Sequence, residues 1–216
     1  MSAENVVITD SNRKQVGNQV QRDIKVNVTL AILNTNNSDL SKTIYNNPKG
    51  GQARFKNFEG KAQGYKDNFN TADNITEFTV SYRFVNSVDD IRKDEHVLVI
   101  GRNVDNDPNS SGSGVGIATL NGRVSGVSSK TIDEGLFNHT AQHELGHNLG
   151  LNHSEIGDLM HPTAFGNSNL NNKKRGDIIS NQISPNASNG VYKESDKYKK
   201  TSGKETSDFI KGHQIK

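Results

Sequence analysis

Apolar and polar residues alternate with a period of two over residues 23–33, placing Ile24, Val26, Val28 and Leu30 on one face, which predicts a strand. The same period recurs over residues 75–85 through Phe78, Val80, Tyr82 and Phe84 and predicts a second strand. Residues 96–100, HVLVI, form a short continuous apolar run, the pattern of a strand covered on both faces. Between the first two, Phe55, Phe58, Ala62, Tyr65 and Phe69 recur at three- and four-residue intervals, which predicts a helix over residues 52–69. Residues 115–120 and 123–128 flank Asn121-Gly122, a two-residue hairpin signal. From about Gly135 the period lengthens again. Phe137, Ala141, Leu145 and Leu149 recur every fourth residue, the buried face of a helix.

These elements predict an α/β (α+β) fold: a twisted mixed sheet of about five strands, a packed helix and a small C-terminal subdomain. Three segments follow from the pattern. Residues 1–22 are a weakly patterned lead-in, residues 23–165 hold the core, and residues 166–216 form a C-terminal subdomain or a polar basic tail. A short closing helix is expected near residues 177–183.

Composition narrows the class. Only 31% of the 216 residues are hydrophobic, so the core is confined to part of the chain. No apolar run is long enough to cross a bilayer. The opening residues MSAENVVITD lack the basic-then-apolar pattern of a secretory leader. There is no cysteine, which excludes disulfides and thiolate metal ligands together. The net charge of +2 is uneven, with the basic excess in residues 172–216. Acidic and serine residues interrupt that excess and aromatic residues are sparse, so a solvated tail is expected rather than a nucleic-acid surface. The polar loop at residues 102–114 offers Asp105 and Asp107 as calcium ligands. It lacks the glycine and terminal acid of a calcium-binding loop, and Ca²⁺ there is unsupported.

The chemistry is concentrated in residues 143–153, HELGHNLGLNH. On a helix, His143 and His147 project from one face, where an i, i+4 imidazole pair supplies two ligands of a tetrahedral zinc. Glu144 lies beside the pair, placed to act on water rather than on the metal. Gly150 allows a sharp exit from the helix, and the turn returns His153 as a third ligand. Three protein ligands and an open position mark a catalytic zinc; four mark a structural one. HExxH alone is common on ordinary amphipathic helices. From this composition, the longer motif arises by accident roughly 3 times in 100,000 such chains. His139, one helical turn earlier, is expected beside the ligands rather than among them, and His161, His96 and His213 are not expected to bind metal.

The motif followed by Met160, in the stretch SEIGDLMHP, resembles the metzincin clan of zinc endopeptidases, and its wording looks most like the matrixin-type branch. That resemblance implies that Met160 forms a hydrophobic floor beneath the histidines and that Glu144 is the general base. It further implies that the sheet's antiparallel edge strand, here Val115, Gly116, Ile117, Ala118 and Thr119, pairs with substrate backbone. Thr163-Ala164-Phe165 would line the specificity pocket. Pro162 stands where some relatives carry a tyrosine, which removes that tyrosine's role. The implied activity is a zinc metalloendopeptidase with one Zn²⁺ and a protein or peptide substrate. It would act outside the producing cell, and a toxin or effector module would use the same chemistry. A non-catalytic zinc-binding or adhesion module on the same fold remains the alternative.

Overall fold

A computed structural model describes residues 6–16, 19–62, 74–93, 95–105, 113–154, 157–162, 169–182, 191–193 and 203–216. In chain order the elements are β1 (Val6–Val16), β2 (Gln19–Asn34), β3 (Gly51–Arg54), β4 (Gly60–Ala62), β5 (Asn74–Val85), β6 (His96–Gly101), β7 (Val104–Asp105), β8 (Ser113–Gly114), β9 (Gly116–Ala118) and β10 (Val124–Ser128). There follow α1 (Lys130–Asp133), α2 (Phe137–Asn148), α3 (Asn172–Gln182), β11 (Val191–Lys193) and α4 (Gly203–Gly212).

The long strand β2 is the spine. One edge pairs in parallel with β5 from Asp23↔Ile75 to Leu33↔Val85. Its other edge is shared: β1 pairs antiparallel with its first half and β6 pairs parallel with its last residues, Leu30 to Asn34. β10 then adds in parallel to β6, and β9 closes this side as an antiparallel edge strand. The mixed α/β fold with an antiparallel edge, expected from sequence, is therefore the observed one. The sheet is wider than five strands because β1 and β11 extend one flank and β3 and β4 line β5. The lead-in expected over residues 1–22 contains β1, whose residues 6–16 are too polar in their second half to show a period of two.

The helix expected at residues 52–69 does not form over its described part. Residues 51–62 are β3, a 3-10 turn at Lys56–Phe58, and β4. Phe55, Phe58 and Ala62 are buried as the spacing required, but Ala53 is buried between exposed neighbours, the alternation of a strand. Gly60, at φ 137°, breaks any continuous helix. Residues 63–69 lie outside the described residues, as do 106–112 with Asp107 and 163–168 with Thr163-Ala164-Phe165.

The central strand β6 is buried on both faces. In β6, Leu98 and Ile100 join the cluster beneath α2, formed with Phe137, Ala141, Leu145 and Leu149. Val97 and Val99 face the other way and pack with Val124, Ile215, Phe209 and Ile210 from the C-terminal segment. Among the described residues no helix is long and apolar enough to cross a membrane.

Candidate metal centre

α2 carries His143, Glu144 and His147, and its ends are built by local signals. Gly135, at φ 71°, separates it from α1. At the far end Gly150, at φ 91°, takes the left-handed conformation that stops the helix. The Leu151 N–H then donates to Gly146 O at 2.9 Å and the Gly150 N–H to His147 O at 2.9 Å, the paired bonds of a Schellman stop. This turn carries the chain back under α2, so that His153 meets the two helical histidines.

The three imidazoles converge. His147 Nε2 lies 3.0 Å from His143 Nε2 and 3.1 Å from His153 Nε2. His143 Nδ1 donates to Leu159 O at 2.8 Å, and His147 Nδ1 donates to Leu151 O at 2.7 Å. A carbonyl only accepts, so in each neutral ring Nδ1 holds the proton and Nε2 presents a lone pair. Burial lowers the pKa of both rings, His143 to about 4, which keeps them neutral. Lone pairs aimed at one another this closely repel unless a cation lies between them. A tetrahedral ion with bonds of about 2.0–2.1 Å spaces its ligands roughly 3.3–3.4 Å apart, close to what is seen. The residues fit a zinc ion, with His143, His147 and His153 as the donors.

Glu144 is buried on the same helix beneath β9. A Cβ added at Gly116 would overlap Glu144 Oε1 and come within 2.7 Å of Thr140 Cγ2, so the edge-strand backbone lies directly on this carboxylate. The missing side chain at Gly116 is what leaves room for Glu144 beneath the strand. Burial raises the carboxyl pKa to about 8. A dication at the histidines would oppose that shift by favouring the charged form. Of the other edge residues, Val115 is exposed, Ile117 and Ala118 are half-buried, Thr119 is exposed, and no described strand pairs with the outer edge of β9.

Met160 is fully buried under α2, its sulfur occupying the place a side chain at Gly146 would take, between the two helical ligands. Two contributors were not singled out from sequence. Asp158 Oδ1 accepts from the Met160 N–H at 2.9 Å, and its Oδ2 accepts from the Asn171 backbone and amide at 3.2 and 2.7 Å. It therefore fixes the turn whose Leu159 carbonyl orients His143. The only hint was a carboxylate two residues before the methionine, the spacing of an Asx turn. Lys174 Nζ on α3 donates to Asn152 O at 2.6 Å and steadies the approach to His153. A cavity of about 460 Å³ opens beside that imidazole, with Lys174 in its wall.

The remaining histidines stand apart. His139 is buried, its ring centroid 6.5 Å from that of His143, and among the described residues neither of its ring nitrogens has a hydrogen-bond partner. His161 is half-buried beside Met160, and the His213 ring lies tilted against Phe209, centroids 4.6 Å apart. His96 lies in β6 with Nε2 3.3 Å from Arg123 Nη1.

The family model described as metallo-peptidase family M12, of reprolysin type, matches residues 3–192. The match supports the metzincin-type zinc metallopeptidase expected from residues 143–160 and does not single out the matrixin-type branch. No curated protein matches the chain.

Proposed function

Because the chain belongs to metallo-peptidase family M12, we propose that it is a zinc-dependent endopeptidase in which Glu144 is the general base. His143, His147 and His153 would hold the metal. Bound there, zinc supplies Lewis-acid polarisation of the scissile carbonyl and lowers the pKa of water. The Glu144 carboxylate takes the proton of the attacking water and hands it to the leaving nitrogen. The backbone of β9 at Gly116 lies directly on that carboxylate and limits where it can move. An extended peptide adds to the free outer edge of β9 through main-chain hydrogen bonds, with Val115 to Thr119 as the pairing segment. Met160 keeps the floor under the ligands apolar and rigid. Protein or peptide substrates, and action outside the producing cell, belong to the same reading.

The observation that carries the proposal is the convergence of three Nε2 atoms next to a buried glutamate. The test is Glu144→Gln, compared with wild type on a denatured protein substrate and by zinc analysis. Peptide cleavage is expected to fall by about 10²–10⁴ while zinc stoichiometry stays at one. Zinc retained by a wild-type protein that cleaves nothing would favour the binding-module alternative. Full activity in the variant would remove Glu144 as base.

A further inference from the structure

Asn148 is completely buried at the C-terminal end of α2, next to a metal ligand in sequence, yet its side chain faces away from the histidines. Its amide nitrogen donates to Thr119 O at 3.1 Å and to Val124 O at 3.2 Å. Those two carbonyls bracket the turn that joins β9 to β10. A further bond joins the same parts: the Asn121 N–H, at the tip of that turn, donates to His147 O at 3.0 Å. Asn148 Oδ1, by contrast, is buried with no hydrogen-bond partner among the described residues. An orphaned buried acceptor costs stability, so packing economy does not explain an asparagine here, whereas the need for two donors does. Leucine would fill a site of this kind with no orphan.

We propose that Asn148 is a positioning residue that holds the substrate-pairing edge strand at a fixed height over the histidine cluster. Both carbonyls it grips belong to the hairpin, and the helical turn it sits on includes His147. The amide therefore converts the place of the metal ligands into the place of β9, with no contact to substrate of its own. An extended peptide paired with β9 is held in register with the scissile position through this link. A peptide too short to reach along β9 does not depend on it. The inference rests on the peptidase reading above.

The test compares wild type with Asn148→Leu, which removes both donors at similar size, and Asn148→Asp, which turns an oxygen toward the two carbonyls. For an eight-residue peptide, KM is expected to rise about tenfold in Asn148→Leu, and further in Asn148→Asp, with kcat within twofold and zinc stoichiometry unchanged. For a three-residue chromogenic substrate, neither parameter should move. Independently of activity, hydrogen exchange at the Asn121 amide should quicken at least tenfold in zinc-loaded protein. Should Asn148→Leu fail to fold, Asn148→Ser, which keeps one donor, carries the same comparison with smaller changes. Equal losses on long and short peptides, or unchanged Asn121 exchange, would overturn the inference. A wild-type protein with no cleavage of either peptide would instead overturn the peptidase reading, and the exchange result would still judge Asn148.

Discussion

At the scale of single residues, the tightest constraint lies where β9 crosses Glu144. Gly116 is buried and has no room for a Cβ against Oε1. Gly116→Ala must therefore displace either the carboxylate or the strand, and the carboxylate is the softer of the two. We expect kcat to fall at least tenfold with zinc stoichiometry unchanged; wild-type kcat in this variant would show that Glu144 does not need that position. A second residue sets a pH dependence of stability. His96 is fully buried, and burial first, then the Arg123 guanidinium, holds its pKa well below the ordinary histidine value. The unfolded chain takes up a proton as pH falls through about 6.5 while the folded chain does not. Stability contributed by neutral His96 is thus present above that pH and is lost below it, by up to about 1.4 kcal/mol per pH unit. His96→Gln keeps an acceptor for Arg123 and removes the titration. Its urea midpoint should decline less than that of wild type between pH 6.5 and 5, and parallel declines would refute the assignment.

At the scale of elements, what could be read in the sequence depended on whether one force dominated a segment. β2, β5 and β6 bury alternate or continuous apolar residues in a wide sheet, so hydrophobic period alone revealed them. α2 was equally plain, because Phe137, Ala141, Leu145 and Leu149 share one buried face while the histidines take another. β1 was hidden because its sequence is too polar to show a period of two, although its backbone pairs with β2. The segment over 51–62 misled because Phe55, Phe58 and Ala62 have helical spacing, but Gly60 at φ 137° interrupts a helix and the flanking backbone pairs with β5 as two short strands. At the site, the spacing that brings His143, His147 and His153 together was legible, whereas the grip of Asp158 on the methionine turn was not, since its partner Asn171 lies well beyond that turn in the chain. That grip is testable. Asp158→Ala frees the Met160 N–H and loosens the Leu159 carbonyl that orients His143. Zinc affinity is expected to drop about 10–100-fold, measured by competition with a chromogenic chelator. Unchanged affinity would mean that the turn holds itself.

At the scale of the whole molecule, the two faces of the sheet have separate tasks. α2 and α3 occupy one face with the histidine cluster, and residues 203–216 cover the other. The apolar residues that do so, Phe209, Ile210 and Ile215, are few among lysines, which is why residues 166–216 read from sequence as either a subdomain or a polar basic tail. Yet Ile215 is buried where side chains at Gly101 and Gly126 would otherwise stand, and the Arg102 N–H donates to Lys216 O. Deleting residues 203–216 uncovers Val97, Val99 and Val124 and removes Ile215 from the core. Burial of one isoleucine contributes about 1.5–3 kcal/mol, so the loss should reach at least that, read as a lower urea midpoint. The uncovered valines also form an apolar patch that favours self-association, visible by light scattering. Because α2 packs on the opposite face, the truncated protein should still bind one zinc and cleave peptide with kcat within about twofold at a temperature where it remains folded. If zinc were lost while the urea midpoint held, the C-terminal segment would belong to the site rather than to the support of the sheet.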